Sequence, residues 1–194
     1  GKGKGMTESE NEREDRKNRP IRSYVLRQGR MGRTAERVLE EYGPRFCVPF
    51  SEEPIDFHAL FGGRTRIVLE IGFGMGEGTI ELAKSFPDTG FLGIEGYTPG
   101  VCRLLGKIVG GKIDNIRIIR SDAAAVVRRM IPPASLSGIH LFFPDPWPKK
   151  RHHKRRLLTE DFMTALAEKL RDGGYLCFVT DWEDYDTHYT ERYL

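Results

Sequence analysis

The 194-residue chain is poor in cysteine: Cys47, Cys102 and Cys177 are odd in number and show no C-x-x-C spacing. Neither a disulfide framework nor a zinc site is indicated, no other metal site is expected, and a reducing, cytoplasmic setting follows. No hydrophobic stretch approaches the roughly 20 residues of a membrane span, and the first residues are highly polar, so neither a membrane segment nor a secretory signal is expected. Net charge is also scarce, at +3, but the total conceals segregation. Residues 16–37 hold eight Lys or Arg against one Glu, and residues 149–156 hold six against no acid, which leaves the remainder at −10. Most isolated charge runs are simply solvated. Two such runs against an acidic remainder suit a basic face for a polyanion and an acidic crevice for something cationic.

With 39% apolar and 10% aromatic residues the chain can bury the core of one domain. Residues 1–33 are expected to form a basic, flexible arm, and residues 34–194 a single domain. Within it Thr34 is placed to cap a helix to about Tyr42, ended by Gly43-Pro44. Residues 45–63 read as loop with one turn of helix. From Arg66 strands and helices alternate. The strands are expected at 66–71, 90–95, 116–120, 138–143 and 175–180, and the helices at 77–86, 99–109, 122–130 and 159–170, the last closed by Asp172-Gly173-Gly174. Right-handed crossovers make such an alternation a doubly wound, mostly parallel α/β sheet with helices on both faces, a Rossmann-like fold.

Ligands of such sheets bind beyond the carboxyl ends of the strands. At those five ends stand Glu70, Glu95, Asp122, Asp145 and Asp181. Any one of them has an ordinary explanation, Asp122 as a helix cap for instance, but five together are hard to explain as caps. The turn Glu70-Ile71-Gly72-Phe73-Gly74-Met75-Gly76 follows the first strand and opens a helix. Its spacing is G-x-G-x-G, not the G-x-G-x-x-G of dinucleotide binding. Glu70 would repel a pyrophosphate and attract an ammonium and a sulfonium. Glu95, 19 residues after Gly76, stands where an acid accepts from ribose hydroxyls, and Asp122 is placed to accept from an adenine amino group. Adenine, ribose and a cationic amino acid together make S-adenosylmethionine, with Glu70, Gly72, Gly74, Glu95, Asp122 and Asp145 as its candidate contacts.

The apolar run Leu141-Phe142-Phe143 breaks at Pro144-Asp145-Pro146-Trp147 and turns into Lys149-Lys150-Arg151-His152-His153-Lys154-Arg155-Arg156. Prolines on both sides fix the carboxylate of Asp145, Trp147 offers a stacking face, and the basic run can hold phosphates. If the acceptor is guanine N7, the ring nitrogen already carries an in-plane lone pair and needs no general base. A carboxylate such as Asp145 would then act by holding the base edge and offsetting the charge left on the purine.

On these residues the chain resembles the bacterial tRNA (guanine-N7)-methyltransferases, the TrmB family. The matching stretches are residues 21–31, 69–76, 91–95, 141–147 with Lys149 and 151–156, and Thr180-Asp181-Trp182. The glycine turn is common to many methyltransferases, whereas Phe-Phe-Pro-Asp-Pro-Trp with the basic run is highly specific. The resemblance implies a class I S-adenosylmethionine-dependent methyltransferase, a catalytic role for Asp145, and substrate contacts at Lys149 and Asp181. It further implies RNA contacts at Arg151, His152, His153, Lys154, Arg155 and Arg156, and a variable-loop guanine of tRNA as target. Pro148 departs from the His common in the family. The family also continues past the fifth strand, so the C-terminal part is expected to be incomplete, with Thr187 as a displaced remnant of a substrate motif.

A methyltransferase of exocyclic amino groups is the alternative enzyme, since Asp145-Pro146-Trp147 also resembles the acid-Pro-Pro-aromatic loop. A non-catalytic RNA-binding protein and a nucleotide-dependent oxidoreductase are further alternatives, disfavoured by the five carboxylates and by Glu70 respectively. A monomer or homodimer is expected. Neutralising Lys149 to Arg156 should weaken RNA binding and flatten its salt dependence by roughly 0.7–0.9 log units per lost phosphate contact; an unchanged slope would place the RNA elsewhere.

Overall fold

The computed structural model describes residues 32–74, 76–142 and 159–179. In chain order these form α1 (Arg33–Phe46), α2 (Phe57–Leu60), β1 (Arg66–Ile71), α3 (Glu77–Ser85), β2 (Thr89–Ile94), α4 (Thr98–Gly110), β3 (Ile116–Ile119), α5 (Ala123–Arg129), β4 (Leu136–Phe142), α6 (Glu160–Lys169) and β5 (Leu170–Val179). The strands make one parallel sheet in the order β3-β2-β1-β4-β5. The order reverses between β1 and β4, so the crevice of a doubly wound sheet opens above their carboxyl ends.

Side-chain alternation along β1 assigns the two faces. Ile67, Leu69 and Ile71 enter a core with Phe57, Val126, Val127, Phe162 and Leu166, under α2, α5 and α6. Val68 points the other way, into a core with Phe46, Leu82, Leu104, Leu105 and Ile108, under α1, α3 and α4. Helices therefore cover both faces, as the alternating sequence requires. Beyond β3, Cys47 adds a single parallel bridge to Ile118, and the Val48 N–H donates to the Ile118 carbonyl at 2.8 Å. The three cysteines are free, and burial pushes the Cys47 thiol up to about 11.

Two boundaries differ from expectation. Thr34 does not cap α1; Gly32 does, and the helix runs through Gly43-Pro44 to Phe46. A proline in the last turn forfeits one hydrogen bond, while Phe46, 3% exposed, gains a place in the core. Likewise Asp172-Gly173-Gly174 does not close α6. β5 already begins at Leu170, and the strand passes through an irregularity opposite Leu136 and Gly138, with Gly173 at φ 78°. The turn signal was that of a bulge.

Phe61 is fully buried, and a Cβ at Gly90 would lie 2.6 Å from its ring. Phe61→Ala is expected to cost about 3–5 kcal/mol, read as a lower midpoint in urea unfolding; a change under about 1 kcal/mol would mean the ring is not a core element.

Candidate cofactor site at the carboxyl ends of the strands

β1 leaves the sheet into a turn whose glycines are left-handed: Gly72 at φ 77°, Gly74 at 60° and Gly76 at 75°. The third is required twice over, because a Cβ at Gly76 would also lie 2.7 Å from Leu104 of α4. Gly100, at the start of α4, packs against the Gly74 carbonyl oxygen with no room for a Cβ. Turn and helix thus fit against one another backbone to backbone.

Glu95 fastens this arrangement. The Gly74 N–H donates to its Oε2 at 2.9 Å, and the N–H groups of Gly96 and Tyr97 donate to its Oε1 at 3.1 Å each. A carboxylate offers about four acceptor directions, so the amides take three. Beside it stands Tyr97, 42% exposed. Asp122 caps α5 through the Ala125 N–H at 3.2 Å, the ordinary role open to it from the sequence, and remains half-buried at the carboxyl end of β3.

Glu70 is placed differently from Glu95. It pairs with Gly93, two residues below Glu95 along the sheet, a depth of about 7 Å at the rise of a parallel strand. It is 0% exposed, and its Oε2 accepts the Thr79 hydroxyl of α3 at 2.8 Å. On its other side the register sets His140 of β4, 1% exposed, whose Nε2 lies 2.8 Å from the Tyr175 hydroxyl of β5. A buried carboxylate needs such partners. Glu70 therefore stands beneath the crevice and holds α3 to the sheet instead of lining the open mouth. Thr79, Tyr97, Gly100 and His140 escaped the sequence reading; none carries a local signal, since each acquires its part through a neighbour on another element.

Asp145, Lys149, Arg151, His152, His153, Lys154, Arg155, Arg156, Asp181 and Thr187 lie outside the described residues, as does the arm before residue 32. Among the described residues no group of three or more His, Cys, Asp or Glu could hold a metal ion, and no helix is long and apolar enough to cross a membrane.

Residues 64–194 match the family model Methyltransf_4, described as a methyltransferase. A tRNA (guanine-N(7)-)-methyltransferase of Nitrosomonas europaea is 50% identical over 169 residues, 87% of this chain and 75% of the relative. The chain belongs to the tRNA (guanine-N7)-methyltransferase family. Another member, from Methylobacillus flagellatus, is 49% identical over 182 residues, 93% of this chain and 76% of that protein. Among solved structures, the antibiotic-resistance methyltransferase Kmr has a TM-score of 0.49 at 21% identity over 69% of this chain and 66% of its own. The 16S rRNA methyltransferase KamB has a TM-score of 0.49 at 17% identity over 65% and 59%. Neither adds to the family assignment.

S-adenosylmethionine, the cofactor of this methyltransferase family, fits what the described residues present. Among the described residues nothing lies within 4 Å of where a Gly74 Cβ would stand, and Glu95 carries acceptors at the mouth of β2 with no basic side chain bonded to it. A diphosphate would meet two carboxylates there; ribose hydroxyls would meet acceptors. Thr79→Val keeps the shape but leaves Glu70 short of a donor, which should cost about 1–3 kcal/mol in urea unfolding; unchanged stability would show that the bond does not hold α3.

Proposed function

We propose that the protein methylates N7 of a guanine in tRNA, its S-adenosylmethionine held by the glycine turn and the carboxylates above it. The observation that carries this reading is the Glu95 clasp on a left-handed glycine turn at the carboxyl edge of a 3-2-1-4-5 sheet, in a chain half identical to proteins named for that activity. When bound, the cofactor supplies an electrophilic methyl group on a sulfonium.

Glu95 would accept from the ribose with the acceptor direction that the amides leave, or with the one that the Gly74 N–H yields. Asp122 would take the adenine amino group while continuing to cap α5, since each carboxylate oxygen has two lone pairs. Glu70 acts on a cationic group in the crevice through its field, from beneath; the low local dielectric lengthens its reach. Asp145 is assigned to the guanine edge. As N7 already bears its lone pair, the carboxylate there orients the base and offsets charge on the purine, and takes no proton from N7. Lys149, Asp181 and Thr187 are assigned to substrate, and Arg151 to Arg156 to the RNA backbone, a role for which their charge is the support. The reading sets the protein in the cytoplasm with tRNA, as a monomer or a homodimer.

The test is incubation of the protein with unmodified tRNA and methyl-labelled S-adenosylmethionine, followed by nucleoside analysis. Label is expected in 7-methylguanosine, and Asp145→Ala is expected to lose most transfer while retaining cofactor binding. Label in an N-methylated exocyclic amine would replace the proposal with the amino-directed enzyme. Cofactor loss together with transfer in Asp145→Ala would overturn the role given to that residue.

A further inference from the structure

The opposite, amino-terminal end of the sheet carries a cleft of about 260 Å3 between the end of α1 and the α4–β3 connection. Tyr42, Phe46 and Ile113 give it apolar walls, and Arg45, Lys112 and Asp114 its rim. The Arg45 and Arg117 guanidinium carbons lie 4.9 and 5.3 Å from the centre of the Phe46 ring, which holds two like charges side by side. Arg64 adds a third, through its ion pair with Asp114 at 3.0 Å. Burial, and then Arg45, lower the pKa of Arg117. So much positive charge is not general to the folded part: the described residues hold fifteen Lys or Arg against seventeen Asp or Glu. Here four cations surround one carboxylate. Two helix C-termini, of α1 and α4, also point in, but they bring only about half a negative charge each, which leaves the cleft positive.

The four cations divide by what they touch. Arg64 donates to the Pro87 and Phe61 carbonyls, and Arg117 to those of Asp114 and Ile116, so both are fixed by the fold. Arg45 and Lys112 are exposed on the rim. Lys112 is also one of only two non-glycine residues with positive φ among the described residues, at 52°. Glycine is the usual occupant of that position after a helix. Here Gly111, one residue earlier, has φ −88° and does not need to be glycine for its backbone. The strained position is thus held by a residue that, with Arg45, brings positive charge to the rim, and strain of this kind gathers at functional sites.

We infer that this cleft is a second tRNA contact, in which Arg45 and Lys112 hold a backbone phosphate of the substrate and the apolar wall takes its sugar, at a point remote from the target guanine. The inference rests on tRNA being the substrate. The volume lies just below the range of small-molecule pockets and suits one phosphorylated unit of a longer chain better than a whole free ligand.

The test measures binding of unmodified tRNA over a range of KCl concentrations for the full-length protein, for Arg45→Gln, Lys112→Gly and the double variant, and for Asp114→Asn. The double variant should lower the slope of log affinity against log salt by roughly 0.7–0.9, the value of the one phosphate that the two side chains share. It should raise KM for tRNA and leave kcat and S-adenosylmethionine affinity as they were. Asp114→Asn should shift affinity the other way. Lys112→Gly should not lower the melting midpoint, because glycine relaxes the left-handed backbone. An unchanged salt slope would overturn the inference. So would an affinity loss that merely follows a lower melting midpoint, which would make these cations helix-end caps. Binding of adenosine 5′-monophosphate abolished by the double variant, with the tRNA slope intact, would make the cleft a free-nucleotide site and also overturn it. Failure of the wild-type protein to bind or methylate tRNA would instead remove the functional reading beneath.

Discussion

One carboxylate gathers the carboxyl edge of the sheet. Glu95 accepts from the amides of Gly74, Gly96 and Tyr97, and so joins the turn after β1 to the start of α4 across the mouth of β2. The Gly96 amide is partly buried and would be costly without such an acceptor, while the exposed Gly74 and Tyr97 amides bring the turn and the helix start to the same carboxylate. The close approaches follow from that clasp. Gly76 lies against Leu104, and Gly100 against the Gly74 carbonyl, because the turn and the helix are drawn to the same point.

The sheet is electrically uneven along its strands. At the carboxyl end stand Glu70, Glu95 and Asp122, Glu70 deeper than Glu95, and Glu95 and Asp122 accept there from backbone amides. At the other end Arg45, Arg64, Lys112 and Arg117 surround Asp114. A cationic cofactor and an anionic substrate call for opposite fields, and a sheet whose two ends are separated by a strand of four to six residues keeps them about 13–20 Å apart. That exceeds a Debye length at physiological salt, so neither field cancels the other in solvent.

What the sequence by itself determined is the part governed by local pattern. Alternating apolar runs and amphipathic helices, each punctuated by glycine or proline, were enough for five parallel strands with helices on both faces. Glycine before α3 and acids at the strand ends were enough for the kind of cofactor, and the run from Leu141 to Arg156 for the family. These signals are short-range: a turn needs its glycine, and a strand its apolar alternation, whatever lies elsewhere.

Only the tertiary structure decided the rest. That α1 passes Pro44 depends on a pocket for Phe46 among residues of α4 and β3. That β5 begins at Leu170 depends on Leu136 as its partner. Glu70 looked like a residue of the mouth and is a buried anchor, because register sets it two residues below Glu95 and opposite His140. The cationic cleft unites positions from Arg45 to Arg117 that share no motif. In each case the deciding partner stands on another element, and only packing and strand register bring such partners together.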